Sequence, residues 1–196
     1  MKTIYISLAL LAVFAVSGFA QAKTVTIDAV PASMDEMTSL RDGIASTPEG
    51  GAAAFITAMI VYGSNQKLGL QALTLTLDAG QLSPGTVYKG FKPKRGWYEK
   101  LYQVDKFPFL GKIYIDGTEA AAGYALPDAP FTITVTEVRM LSNGTAKVFV
   151  ASTGGNLPRP VSLAKNSKGI WKVTEASSLF VGPIALPPVE KEPDDL

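Results

Sequence analysis

Residues 159–182 read RPVSLAKNSKGIWKVTEASSLFVG, and their reading decides the fold. Val161 and Leu163 alternate with Ser162 and Ala164, the period of a half-buried strand. Asn166, Ser167, Lys168 and Gly169 supply a turn, because Asn and Gly tolerate the positive φ that tight hairpins need. Ile170, Trp171 and Val173 resume a strand with Lys172 and Thr174 between them. Leu179, Phe180 and Val181 make a third short apolar run, stopped by Gly182 and Pro183. In this hairpin Trp171 reads first as a core or rim aromatic of a sheet, and second as a ligand-stacking residue.

Moving upstream, the strand signal continues. Phe131, Ile133 and Val135 alternate with Thr132, Thr134 and Thr136, and the phase slips at Glu137 and Val138, as at a β-bulge. Asn143-Gly144 is a hairpin signal, and residues 145–152, TAKVFVAS, return. Together these segments predict an antiparallel meander of about four strands. Residues 23–30, KTVTIDAV, fit a short edge strand or an extended start that Pro31 ends. Residues 113–115 are a further short strand candidate before the Asp116-Gly117 turn.

The first half of the chain reads as helices. Ser33 and Glu36 have the spacing of a capping box, and Met37, Leu40 and Ile44 follow at helical intervals. Thr47, Pro48 and Glu49 start a second helix: an N-cap, a proline in the first turn and a carboxylate at the positive end of the dipole. Its body, residues 52–62, AAAFITAMIVY, is apolar around nearly its whole circumference, which predicts burial on most sides. After a break at residues 63–65, Leu70, Leu73 and Leu77 support a third helix, since no β-branched apolar residue favours a strand. Residues 81–96 are punctuated by Pro84, Gly85, Gly90, Pro93 and Gly96 and read as loop. Trp97 and Leu101 share one face of a short helix over residues 97–102. The expected class is α+β, with N-terminal helices packed on a C-terminal antiparallel sheet.

The first 22 residues have the form of an export signal. Lys2 is the positive start, residues 4–16 are apolar apart from Tyr5 and Ser7, and Ala20-Gln21-Ala22 is a small-x-small cleavage site. Cleavage there leaves 174 of the 196 residues, with 17 basic and 17 acidic side chains. The expected locale is periplasmic or secreted, with no membrane span after signal removal and a single domain over residues 23–188. Residues 189–196 are acidic and predicted to be a disordered tail. A net charge of zero gives no global attraction to nucleic acid.

Composition narrows the chemistry. There is no His and no Cys. Ser-His-Asp and Cys-His nucleophiles, disulfides and the usual zinc sites are therefore excluded. No cofactor motif is present. The carboxylates Asp116, Glu119 and Asp128 fall in one loop region without calcium-loop spacing. Glu137 and Glu175, on different strands, are the pair that an acid-base hydrolase acting on glycans would have to bring together.

Across residues 86–112, seven cations face only Glu99 and Asp105. Lys89, Lys92, Lys94 and Arg95 lie close to Trp97 and Tyr98, so this stretch combines charge for an anionic group with rings for stacking. Arg159, held between Pro158 and Pro160, is a second anion-binding candidate, and Trp171 completes the set. A solvated basic face beside core aromatics is the alternative.

The 159–182 stretch, together with TPEGGAAAFITAMIVY at residues 47–62, resembles a family of small bacterial proteins of unknown function, many of them exported. The resemblance covers about 150 residues and transfers no catalytic residues. On element order alone, the chain is also loosely similar to the cone-shaped NTF2-like fold, which implies a pocket between the inner sheet face and the helix over residues 52–62. The expected function is a non-catalytic module that binds a small ligand or another envelope protein. A carboxylate-dependent envelope hydrolase and a purely structural protein are the alternatives.

Overall fold

The computed structural model describes residues 22–183. The export signal and the acidic tail read from the sequence lie outside the described residues, Ala22 excepted. The chain folds as α+β. Strand β1 (Lys23–Ile27) is followed by helices α1 (Met34–Ile44), α2 (Pro48–Ser64) and α3 (Gln66–Thr76). A hairpin of β2 (Leu82–Tyr88) and β3 (Phe91–Pro93) leads into α4 (Arg95–Lys106). Strands β4 (Phe131–Met140), β5 (Thr145–Val150), β6 (Arg159–Lys165) and β7 (Trp171–Glu175) then follow. They form an antiparallel five-stranded sheet ordered β1-β4-β5-β6-β7.

Helix α2 is the centre of the molecule. Thr47 Oγ1 accepts from the Gly50 amide, Pro48 occupies the first turn, and every residue from Glu49 to Tyr62 is buried. One layer of contact is set by Gly51. A Cβ there would lie 2.8 Å from both Leu163 Cδ2 and Trp171 Cβ, so the helix rests directly on the β6–β7 hairpin. Ile133, Val148, Val161 and Val173 of the inner sheet face are fully buried. Asn65 ends α2 and starts α3 at once: its amide donates to Val61 O and its side chain accepts from the Leu68 amide.

The 159–182 reading holds. Asn166 Oδ1 accepts from the amides of Lys168 and Ile170, and Gly169 adopts φ +80° to close the hairpin. The bulge is also present: between Val135 and Glu137 the register with β5 shifts, leaving Thr136 as the extra residue. Residues 23–27 form the edge strand. The α1 cap differs in one detail. Ser33 Oγ accepts from the Glu36 amide as expected, but Glu36 Oε2 accepts from the Ala32 amide rather than from Ser33.

Two readings are corrected. Residues 81–96 are not loop throughout, since β2 and β3 pair there. Pro84 sits opposite Phe91, which suits an edge strand, and the register then shifts before Tyr88. Residues 112–114 form a 3-10 turn rather than a strand, with the Ile115 amide donating to Lys112 O. Their apolar side chains are buried as core, and a run of three carries no period to tell strand from turn.

Candidate functional site

The basic-aromatic stretch becomes a hairpin followed by a helix. Trp97 is its anchor. It is 3% exposed, stands edge-on to Phe55 at 5.6 Å and to Phe180 at 6.3 Å between centroids, and its indole N–H donates to Gln81 Oε1 at 3.3 Å. With Trp97, Leu101 and Val104 turned inward, Tyr98 and Tyr102 fall at i, i+4 on an adjoining outward face. Tyr102 is 64% exposed, Tyr98 40%, and Phe91 on β3 just before the helix 49%. Lys89, Lys92, Lys94 and Arg95, in the same segment, are exposed as well. Arg95 pairs with Glu99 across one helical turn at 3.2 Å; Lys92 and Lys94 have no carboxylate partner among the described residues.

Other cations here lie over rings. Lys89 sits 5.2 Å from the Tyr88 centroid and Lys100 4.8 Å from that of Trp97. At the far end of the same face, Asp105 Oδ1 accepts from the Tyr62 hydroxyl (3.1 Å) and from Gln66 Nε2 (2.8 Å). Burial, joined by the Asp105 charge, pushes Tyr62 up to about 12, so it stays a neutral donor. Burial also raises Tyr98. The exposed phenols of Tyr98 and Tyr102 can donate hydrogen bonds, and the exposed lysines attract anions.

Arg159 and Trp171 lie apart from this surface. Arg159 opens β6, and its guanidinium lies over Gly155. Trp171 is 6% exposed on the inner face of β7, packed on Gly51. The carboxylates do not converge either. Asp116 accepts from the Thr132 and Thr134 hydroxyls, Glu137 pairs with Arg139, and Glu175 accepts from the Ser177 amide. Glu137 and Glu175 sit on β4 and β7, three interstrand spacings apart, or ~14 Å. Among the described residues no group of three or more Asp or Glu is placed to hold a metal ion.

Lys172 titrates below the ordinary lysine value. Burial, with the Arg41 charge next, brings it down to about 8, against the opposing pull of Asp78 and Asp42. Its amine donates to Leu75 O at 2.6 Å, in the last turn of α3, where carbonyls lack helical partners. Its place is a helix cap.

A second feature escaped the sequence reading. A cleft of about 720 Å³ lies between the end of β1 and the face of α1. Ile27, Leu40 and Ile44 give it an apolar floor, while Asp28, Asp35 and Glu36 line its rim. Gly43 belongs to its helical wall, and a Cβ there would meet nothing within 4 Å.

No helix of the described residues is long and apolar enough to cross a membrane. No curated protein and no solved structure matches the chain. A family model described as a domain of unknown function, DUF6935, matches residues 29–185, starting just after the first strand and running past the last 3-10 turn, and the chain belongs to that family.

Proposed function

We propose that this protein is a non-catalytic binding module of the bacterial envelope, exported by its first 22 residues, which takes an anionic small ligand or envelope protein on the β2–β3 and α4 surface. One observation carries the reading. Phe91, Tyr98 and Tyr102 are exposed in the same segment as Lys92 and Lys94, which lack carboxylate partners among the described residues, while Trp97 fixes the helix in the core. Large exposed rings next to unpaired cations are what a recognition surface needs, for stacking and charge together. The absence of His and Cys from the sequence supports a non-catalytic role.

The test is native mass spectrometry of the protein purified from the envelope of its host, beside a variant carrying Lys92→Ala, Lys94→Ala and Arg95→Ala. An added mass that is lost on denaturation and is missing from the variant is expected. The same added mass on both proteins would move the site elsewhere. A bare mass on both would count against a tightly held ligand.

A further inference from the structure

The two edges of the main sheet are unlike. At β7 the Trp171 amide donates to Ala45 O (2.8 Å), and Val173 O accepts from the Asp78 amide (2.9 Å), with Leu77 bridged to Val173 in parallel. Chain from the helical half therefore covers that edge. At the other edge, β1 pairs with β4 alone among the described residues.

The ladder fixes which groups of β1 remain open. Thr132 O accepts from the Asp116 amide and Thr134 O from the Ala151 amide, so these two residues turn their backbones away from β1. Phe131, Ile133 and Val135 must then face it, opposite Ile27, Val25 and Lys23. In an antiparallel pair a residue's N–H and C=O point the same way. Those of Thr24 and Thr26 therefore point out of the sheet, and Thr26 lines the cleft.

We infer that the open edge of β1 and the α1 face beside it form a receptor for an extended, basic peptide segment of a partner protein, which adds to the sheet as a sixth strand. The main chain of the segment pairs with Thr24 and Thr26. Every second side chain points at the apolar floor of Ile27, Leu40 and Ile44. Charge selects the occupant. The ionisable groups lining the cleft are Asp28, Asp35 and Glu36, all carboxylates. A second copy of this chain would bring the same three carboxylates against them and is disfavoured. Gly43 leaves the helical wall low enough for a backbone to pass.

The probe is a fluorescein-labelled, end-blocked octapeptide of alternating Lys and Val, titrated into the full chain and read by anisotropy. The Lys-Val peptide is expected to bind. A Glu-Val counterpart and a Lys-Val peptide methylated at alternate amide nitrogens should each bind at least about tenfold more weakly, the loss expected for one charge-assisted or backbone interaction set. In the protein, Thr26→Pro removes an outward amide that β4 does not use, and edge strands accept proline. It should weaken binding by at least about tenfold while the thermal melt stays within a few degrees of wild type. Should Thr26→Pro not fold, Gly43→Phe tests the same point by filling the cleft from a position with room for a side chain. Equal binding of the methylated peptide, undiminished binding by the folded variants, no binding of the Lys-Val peptide, or dimerisation of the free protein through β1 would each overturn the inference.

Discussion

The ammonium of Lys23 lies 2.6 Å from the Glu49 carboxylate, which joins the first residue of the edge strand to the first turn of the buried helix. Burial alone would push Glu49 up. Lys23, the group's own backbone amide and the Thr47 hydroxyl outweigh it and hold the group below the ordinary carboxylate value. A depressed carboxylate adds stability above its unfolded pKa and loses it as pH falls through the folded one. Glu49→Gln should therefore be less stable than wild type at neutral pH, and the difference should shrink below about pH 4.5. Lys23→Ala should lower stability by about 1 kcal/mol at pH 7. Thermal melts of the three proteins from pH 2 to 7 check both.

Two glycines on neighbouring helices predict opposite outcomes. Gly43→Ala meets open space and gains helix propensity, so it should stabilise by about 0.5–1 kcal/mol. Gly51→Ala drives a methyl into Leu163 and Trp171 and should destabilise by about 1–3 kcal/mol or more, because α2 must lift off the hairpin. Urea denaturation midpoints measure each.

Alkaline stability follows from Lys172 and Tyr62. Lys172 titrates near 8 when folded, against 10.5 ordinarily, so between these values the unfolded chain holds more protons and stability rises with pH. Tyr62 titrates near 12, against 10.0, so above about pH 10 the folded chain holds the extra proton and stability falls. Stability should peak near pH 10. Lys172→Met should abolish the rise between pH 8 and 10 and leave the later fall in place, as read from chemical denaturation at each pH.

The aromatic residues of α4 should separate into core and surface. Trp97→Ala removes the ring held between Phe55 and Phe180 and should cost about 3–5 kcal/mol. Tyr102→Ala, on the exposed face, should stay within about 0.5 kcal/mol of wild type. Its effect should instead appear as loss of the mass captured from the envelope. A Tyr102→Ala protein that unfolds like Trp97→Ala would place that ring in the core.

What was legible in the sequence depended on the length of the signal. Helix α2 announced itself through Thr47, Pro48 and a run of apolar residues too long to mistake, and the β6–β7 hairpin through alternation around Asn166 and Gly169. The β2–β3 hairpin did not, because Pro84, Gly85 and Gly90 punctuate a strand of irregular register just as they punctuate a loop. In the basic-aromatic stretch the residue types were legible but their directions were not. Whether Trp97 or Tyr98 faced the core was settled by packing against Phe55 and Phe180, which lie far away in the chain. The cleft was hidden for a different reason. Asp35 and Glu36 already had a role in the helix cap, and nothing local says that the end of β1 stands opposite them.

The unequal edges of the sheet also bear on self-association. Fibres and open-ended strand arrays grow because each added molecule presents a fresh edge for the next. Here Ala45 and Asp78 occupy the β7 side, so among the described residues the main sheet offers one open edge of its own rather than two. Two copies meeting edge to edge would likewise leave covered strands at both ends. Pairing of this sheet with itself therefore stops at two copies, which lets the chain keep one strand edge open without seeding its own polymerisation.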